Sequence, residues 1–331
     1  MITSTNYANI FLKRKIVIIG DLVADQFLKG TISRVSREAP VFILRHDETE
    51  TRCGAAANAA VNIASLGGTP ILIGLVGNDN NGELLISSLK QNNVDIENVI
   101  VDDNLTTTTK VRVLAGQQYA GKQQVIRIDY ENRAAIDPTT ITKLLTKLQA
   151  ASQDADAIII SDYNYGVANP EIAAAAKVVS RESNIPLIID SRFNLEDFHG
   201  ATSATPNLDE FEQLGGKDLS DMQCDEIRER LGFGSLLVTC GNEGVLLLEK
   251  DKPPLRLKAV GSLEPVDVTG AGDTVIAAYT LAIASGSSFA EAAGIANHAG
   301  GIVVMKKGTA SVRIDELIES LKTGSSEKTQ A

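Results

Sequence analysis

Little in this sequence could serve metal-cluster, disulfide or membrane chemistry. Its 331 residues include three cysteines and three histidines. Cys53, Cys224 and Cys240 lie far apart with no Cys-x-x-Cys pair. That argues against a zinc site or a disulfide scaffold and fits a reducing cytoplasm. His46, His199 and His298 are too few and too scattered for His-rich metal chemistry. No apolar run approaches the roughly 18 residues of a membrane span. The first residues show no signal-peptide h-region or small-residue cleavage pattern, so neither membrane insertion nor export is expected. Positive charge is short as well, with 31 Lys and Arg against 42 Asp and Glu, a net charge of −11. A nucleic acid would be repelled on average, although a local basic pocket for a small phosphate stays open.

What is present suits a globular α/β protein. Apolar residues make up 44% and charged residues 22%, ordinary values for a packed core. Surface scaling gives roughly 13,000 Å² folded against roughly 51,000 Å² unfolded, so no disulfide or metal is needed to hold it. Lys15–Asp21 reads as a buried strand ending in Gly-Asp, and its near-continuous apolar run suits a parallel strand covered on both faces. Ala-rich helix is expected from Gly54 to Leu66, strand at 70–77 and helix at 80–91. Further on, helices at 139–151 and 170–183 alternate with strands at 157–162, 186–190 and 235–239. Such a series indicates an open parallel sheet with its site at the strands' C-terminal ends. Residues 106–130 differ, because Lys110–Leu114 and Val125–Asp129 alternate apolar and polar like half-exposed antiparallel strands. With parts of 22–50 they predict a small projecting sheet. The expected body is one domain over 14–320, with residues 1–13 and 322–331 as loosely held tails.

The most informative stretch is Val266–Val275, where Thr269-Gly270-Ala271-Gly272-Asp273 leads into a helix. Small residues leave backbone N–H groups free, and the helix dipole adds partial positive charge, a trap for a transferring phosphoryl group. Asp273 in the first turn could accept a proton from an attacking hydroxyl; the ordinary alternative is a helix cap beside a glycine turn. Asn207 and Glu210, three apart, could hold the water shell of Mg²⁺ or form a capping box. Thr239–Gly244 ends a buried strand in a small-residue turn that suits close approach of a nucleotide, or is a plain hairpin turn. Gly116-x-x-x-x-Gly121-Lys122 imitates a P-loop, but Gln123 follows the lysine and the segment joins two strands, so the required context fails.

Together these segments resemble the ribokinase-type (PfkB) carbohydrate kinases over about residues 15–320. The resemblance is carried by Asp267–Asp273, Asn207 with Glu210, and Gly54–Asn58, in the family's order. A narrower similarity, to kinases acting on D-glycero-D-manno-heptose 7-phosphate in ADP-heptose synthesis for lipopolysaccharide, rests on Ser33–Pro40 and Thr109–Leu114. Arg127–Asp129, Ser161–Tyr163 and Lys307–Val312 agree with it. The resemblance implies a three-layer α/β sandwich with a mostly parallel central sheet and a small β-sheet lid. It implies ATP and Mg²⁺, and a monovalent cation such as K⁺ near Asp267 and Thr269. The sugar site would involve Asp21, Asp25, Gly54, Asn58 and Asp162, with Arg34, Arg112 and Arg127 as candidates for the acceptor's phosphate. Thr239, Gly241, Gly244, Asn297 and Asn207 would serve the nucleotide, beside Gly270 and Gly272. Ala271, with Gly270 and Gly272, would supply the amide trap around the base Asp273.

Many relatives carry a fused nucleotidyltransferase, whose His-x-Gly-His segment is missing here, so nucleotidyl transfer is expected from a separate protein. Pairing of two lids would cover their apolar faces, so a homodimer is expected. Four departures bear on the acceptor: Ala55 replaces a usual glycine, Arg192 ends Asp190-Ser191-Arg192 where Asp-Pro-Lys is usual, Tyr165 replaces a lysine, and Arg37 a proline. Alternative readings are a kinase of fructose, ribose or a nucleoside, and an inactive sugar or nucleotide sensor.

Overall fold

A computed structural model describes residues 7–117, 121–131, 135–215, 221–262 and 264–327. The chain opens with α1 (Tyr7–Phe11), then β1 (Lys15–Gly20), β2 (Leu22–Val35), β3 (Phe42–Ala55), α2 (Ala56–Ser65), β4 (Thr69–Gly77) and α3 (Asn80–Gln91). There follow β5 (Val99–Asp102), β6 (Thr109–Gly116), β7 (Gln123–Tyr130), α4 (Pro138–Ala151), β8 (Ala157–Asp162), α5 (Pro170–Ser183) and β9 (Leu187–Ser191). The last third holds β10 (Ser203–Ala204), α6 (Leu208–Gln213), α7 (Asp221–Leu231), β11 (Ser235–Thr239), β12 (Val245–Glu249) and β13 (Leu255–Leu257). Three helices close it: α8 (Ala271–Ala284), α9 (Phe289–Val303) and α10 (Ile314–Glu327).

The large sheet has the order β13-β12-β11-β10-β9-β8-β1-β4-β5. It is parallel from β11 to β5 and antiparallel at β12 and β13. The apolar run of β1 explains the layering. Ile16 and Ile18 pack with α2, α8 and α9 on one face, while Val17 and Ile19 pack with α4, α5 and α7 on the other. A strand covered on both faces needs no polar alternation, and the result is a three-layer α/β sandwich. Helix starts are set locally. Asp79 accepts the Gly82 amide at 2.8 Å, Asn169 accepts that of Ile172 at 3.0 Å, and Ser288 with Glu291 forms a capping box, each satisfying orphan first-turn donors.

The small sheet has the order β3-β2-β6-β7. Register shifts at Lys29/Gly30 and Ile32/Arg34 interrupt its long β2–β3 ladder, and such bulges bend a hairpin. β7 is exposed along its whole length.

Three sequence expectations change. Residues 7–11 are not a loose tail: Tyr7 and Phe11 are buried in the main core, their rings 5.7 Å apart. Helix α10 continues to Glu327 instead of fraying at 322, because Leu317 and Leu321 pack on the core. The helix expected from Gly54 begins at Ala56, since Gly54 and Ala55 complete β3 opposite Val23 and Leu22. Residues 1–6 and 328–331 lie outside the described residues.

Candidate active site

A cleft of about 670 Å³ lies where the C-terminal ends of the large sheet meet the small sheet. The large sheet contributes Asp190 and Thr239 from β9 and β11; the small sheet contributes Val23, Asp25, Lys110 and Arg112. The Val268–Asp273 turn forms the floor between them. A second, largely apolar slot of about 200 Å³ adjoins it, walled by Val245, Val260, Val275 and Val304. Thr239, Gly241, Ala271 and Gly272 line both, so the two spaces communicate across the glycine turn.

That turn is built as the sequence suggested, with one change. Gly270 stands at φ +79°, and a Cβ there would come within 2.6 Å of the Asn58 amide nitrogen; only glycine fits. A Cβ at Gly272 would meet nothing within 4 Å, so its backbone opens directly on the cleft. No side chain caps α8. Ala271 does not add its amide to the trap, because that N–H donates to the Val268 carbonyl at 3.2 Å. The amides of Gly272 and Asp273, in the helix's first turn, remain for an anion.

Asp273 is 3% exposed. Its Oδ2 accepts from Asn58 Nδ2 and its Oδ1 from the Tyr163 hydroxyl, both at 2.8 Å. Burial pushes its pKa up to about 6, although these two donors and the Arg192 cation pull it down. A carboxylate so tuned is ionised at neutral pH yet basic enough to take a proton.

The residues expected around a sugar sit in varied surroundings. Asp25 lines the cleft but is already matched, with Arg112 Nη1 at 2.5 Å and Thr309 Oγ1 at 2.9 Å. Gly54 lies beneath it; a Cβ there would stand 2.7 Å from Asp25 Oδ2. Asn58 acts through Asp273. Asp21 is corrected from a sugar contact to a loop clamp, since its carboxylate accepts the amides of Tyr163, Tyr165 and Val167 at 2.8, 3.0 and 3.1 Å. Burial still pushes Asp21 to about 6 against those amides. Asp162 likewise leaves the cleft, taking the Asn164 amide at 2.9 Å and the Ser191 hydroxyl at 2.7 Å. Arg34 is exposed near the tip of β2, nine residues beyond Asp25, on the order of 30 Å at strand rise; within one chain it does not reach the cleft. Arg127 pairs with Asp129 at 2.8 Å and lines an adjoining groove of about 650 Å³.

The sequence reading passed over the cations that do converge. Lys110 and Arg192 line both cleft and groove. Lys110 Nζ lies 5.3 and 5.7 Å from the ring centres of Tyr163 and Tyr165, and the Arg192 guanidinium 4.4 Å from that of Tyr163. Burial and the nearby Arg192 cation lower the pKa of Lys110. The clue available beforehand was the unusual pair Tyr165 and Arg192.

Asn207 and Glu210 realise the ordinary reading, a capping box with bonds of 2.8 and 2.9 Å. Both also line the cleft, and burial raises the Glu210 pKa. Asp190 faces the same space, its pKa pushed well up by burial and by the Asp273 and Glu210 charges. This sparse acidic rim fits a water-mediated hold on a phosphate-bound cation, not a protein cage, and no metal-binding cluster occurs among the described residues. Asp267 spends one oxygen on each of the Thr269 and Gly308 amides, both at 2.9 Å. Those amides outweigh burial and hold its pKa low; it clips two loops together, and the geometry adds nothing for a monovalent cation. In the slot, Asn297 donates to the Lys258 carbonyl at 2.7 Å, and Gly244 at φ +98° packs against the Leu257 carbonyl.

Comparison with known proteins shows the family and the fold. The pfkB family carbohydrate kinase model matches residues 13–316. The bifunctional protein HldE of Vibrio parahaemolyticus is 38% identical over 311 residues, 92% of this chain and 63% of that protein. Its counterpart in Shewanella amazonensis is 37% identical over 319 residues, covering 95% and 64%. The chain therefore spans less than two thirds of the length of these curated relatives. Among solved structures, phosphofructokinase-2 from Escherichia coli in complex with potassium aligns at TM-score 0.76 and 20% identity, over 94% of this chain and 99% of that one. Arabidopsis thaliana ribokinase complexed with ribose and ATP aligns at 0.71 and 19%, over 94% and 99%. At such identities these two likenesses speak for the fold.

Proposed function

The chain belongs to the pfkB family of carbohydrate kinases, ATP-dependent phosphotransferases acting on a sugar hydroxyl, and from that premise we propose that its acceptor is D-glycero-D-manno-heptose 7-phosphate. Phosphorylation at the anomeric hydroxyl would give the 1,7-bisphosphate for ADP-heptose synthesis. One observation carries this reading: a single cleft has a buried carboxylate beside uncapped amides at its floor and a pair of cations, Lys110 and Arg192, where it opens into the groove. An acceptor that is itself phosphorylated suits both ends.

Asp273 takes the proton of the attacking hydroxyl, while the Gly272 and Asp273 amides face the charge on the transferring group. The apolar slot beside Thr239 and Gly241 suits the nucleotide base. Mg²⁺, when bound, would neutralise phosphate charge, with Glu210 and Asn207 the residues placed to hold its water shell. Asp25, Lys110 and Arg112 of the small sheet shield the cleft from water, which favours transfer over hydrolysis. The three cysteines form no disulfide, which suits work in the cytoplasm. No helix among the described residues is long and apolar enough to cross a membrane.

ADP release tests the reading against heptose 7-phosphate, fructose 6-phosphate, fructose, ribose and a nucleoside. The heptose phosphate is expected to give the highest kcat/KM. Preference for an unphosphorylated sugar would overturn the acceptor assignment, and nucleotide binding without ADP release on any of them would point to a sensor.

A further inference from the structure

Among the described residues, the charged or titratable groups acting on Asp273 include Asp25 from β2, Tyr163 after β8, Asp190 near the end of β9 and Arg192 just past it. Only Tyr163 among them donates a hydrogen bond to it. The same ring carries the Arg192 guanidinium at 4.4 Å and the Lys110 ammonium at 5.3 Å. Tyr163 is itself held firmly, because its backbone amide and those of Tyr165 and Val167 all donate to the buried Asp21 carboxylate.

We infer that Tyr163 is a positioning residue that joins the two ends of the acceptor site: its hydroxyl orients the Asp273 carboxylate, and its ring sets the cations that hold the acceptor's anionic end. The inference rests on Asp273 being the base and on a phosphorylated acceptor. Burial and the neighbouring carboxylates push the Tyr163 hydroxyl pKa well up, so it stays a donor wherever Asp273 is ionised. A donor to an ionised carboxylate favours that form. A cation resting on an aromatic face loses an attractive partner when the ring is removed.

The test compares Tyr163→Phe, which keeps the ring, with Tyr163→Leu, which does not. Heptose 7-phosphate is the acceptor, and ADP release is followed from pH 5 to 9. Tyr163→Phe is expected to lower kcat about tenfold at pH 7 and to move the acid limb of the profile up by roughly one pH unit. Its acceptor KM should stay within about twofold of wild type. Tyr163→Leu is expected to raise that KM about tenfold more, and thermal melting verifies that both variants are folded. An unmoved acid limb with unchanged kcat in Tyr163→Phe overturns the positioning role, and equal KM values in the two variants overturn the ring's role. Asp273→Asn run alongside separates the causes: if it stays active, the base assignment itself is wrong; if it is inactive while Tyr163→Phe matches wild type, only the present inference fails.

Discussion

Asn58 and Asp273 stand 215 positions apart in the chain, yet the Asn58 amide donates to the Asp273 carboxylate at 2.8 Å. The bond joins α2, which follows β3 of the small sheet, to α8, which follows the glycine turn. The geometry of that carboxylate thus depends on how two helices pack on one face of the large sheet.

Asp273→Asn is expected to cost at least ~10²–10⁴-fold in kcat, read by ADP release. The same change should stabilise the fold near neutral pH. The folded pKa of about 6 lies above the ordinary 3.8, so between those values the native state holds a proton that the unfolded chain has released. Stability falls as pH rises through that window, and at pH 7 the ionised buried carboxylate costs on the order of 3 kcal/mol. A higher Tm for Asp273→Asn at pH 7.5, with the gain shrinking towards pH 4, would agree; an unchanged Tm at pH 7.5 would count against the raised pKa.

Gly272→Ala places a methyl in open space, so Tm should move little. The same methyl obstructs anion approach to the uncapped amides, and kcat/KM is expected to fall about 10²-fold. Steady-state kinetics with full activity would sink the amide trap.

Ala55 holds φ 55° and ψ −133°, a conformation costing a residue with a Cβ about 1–3 kcal/mol. Ala55→Gly should raise Tm by a few degrees, offset in part by added unfolded-state entropy. Because Ala55 also lines the cleft, acceptor KM should shift too. Calorimetry showing a lower Tm would contradict the strain argument.

Arg112 and Asp25 form a pair with side chains 11% and 6% exposed. Arg112→Leu strands a buried carboxylate, which should cost about 3–5 kcal/mol in denaturant unfolding. Adding Asp25→Asn should recover much of that loss; no recovery would mean that the packing of Arg112 against Phe27, not charge, set the cost.

Pairing of two small sheets remains our proposal. Phe42, Val125 and Ile126 are all more than half exposed on them, an apolar surface that a second copy could cover. Light scattering should report a dimer, and Phe42→Glu with Ile126→Glu should give a monomer. A wild-type mass of one chain at every concentration would end the proposal.

Periodicity and local motifs made much of this protein legible in one dimension. The uninterrupted apolar run of β1 announced a doubly covered strand, and the alternation at 110–114 announced the small sheet. The Gly270–Asp273 segment announced a glycine turn opening a helix with a carboxylate in its first turn. These are local properties, set by backbone sterics and by side-chain spacing. Which polar side chains face the cleft was not local. Asp21 and Asp162 matched the expected motif but turn their carboxylates to nearby amides and hydroxyls, because a buried carboxylate is best satisfied by whatever donors the packed loops bring. Lys110 of the small sheet and Arg192 just past β9 line one cleft only because the small sheet packs beside the ends of the large one. Burial beside that cleft is also what lifts Asp273 towards neutral pH. Sequence decided the elements and the chemistry on offer; tertiary packing decided which groups lose water, and therefore which of them can react.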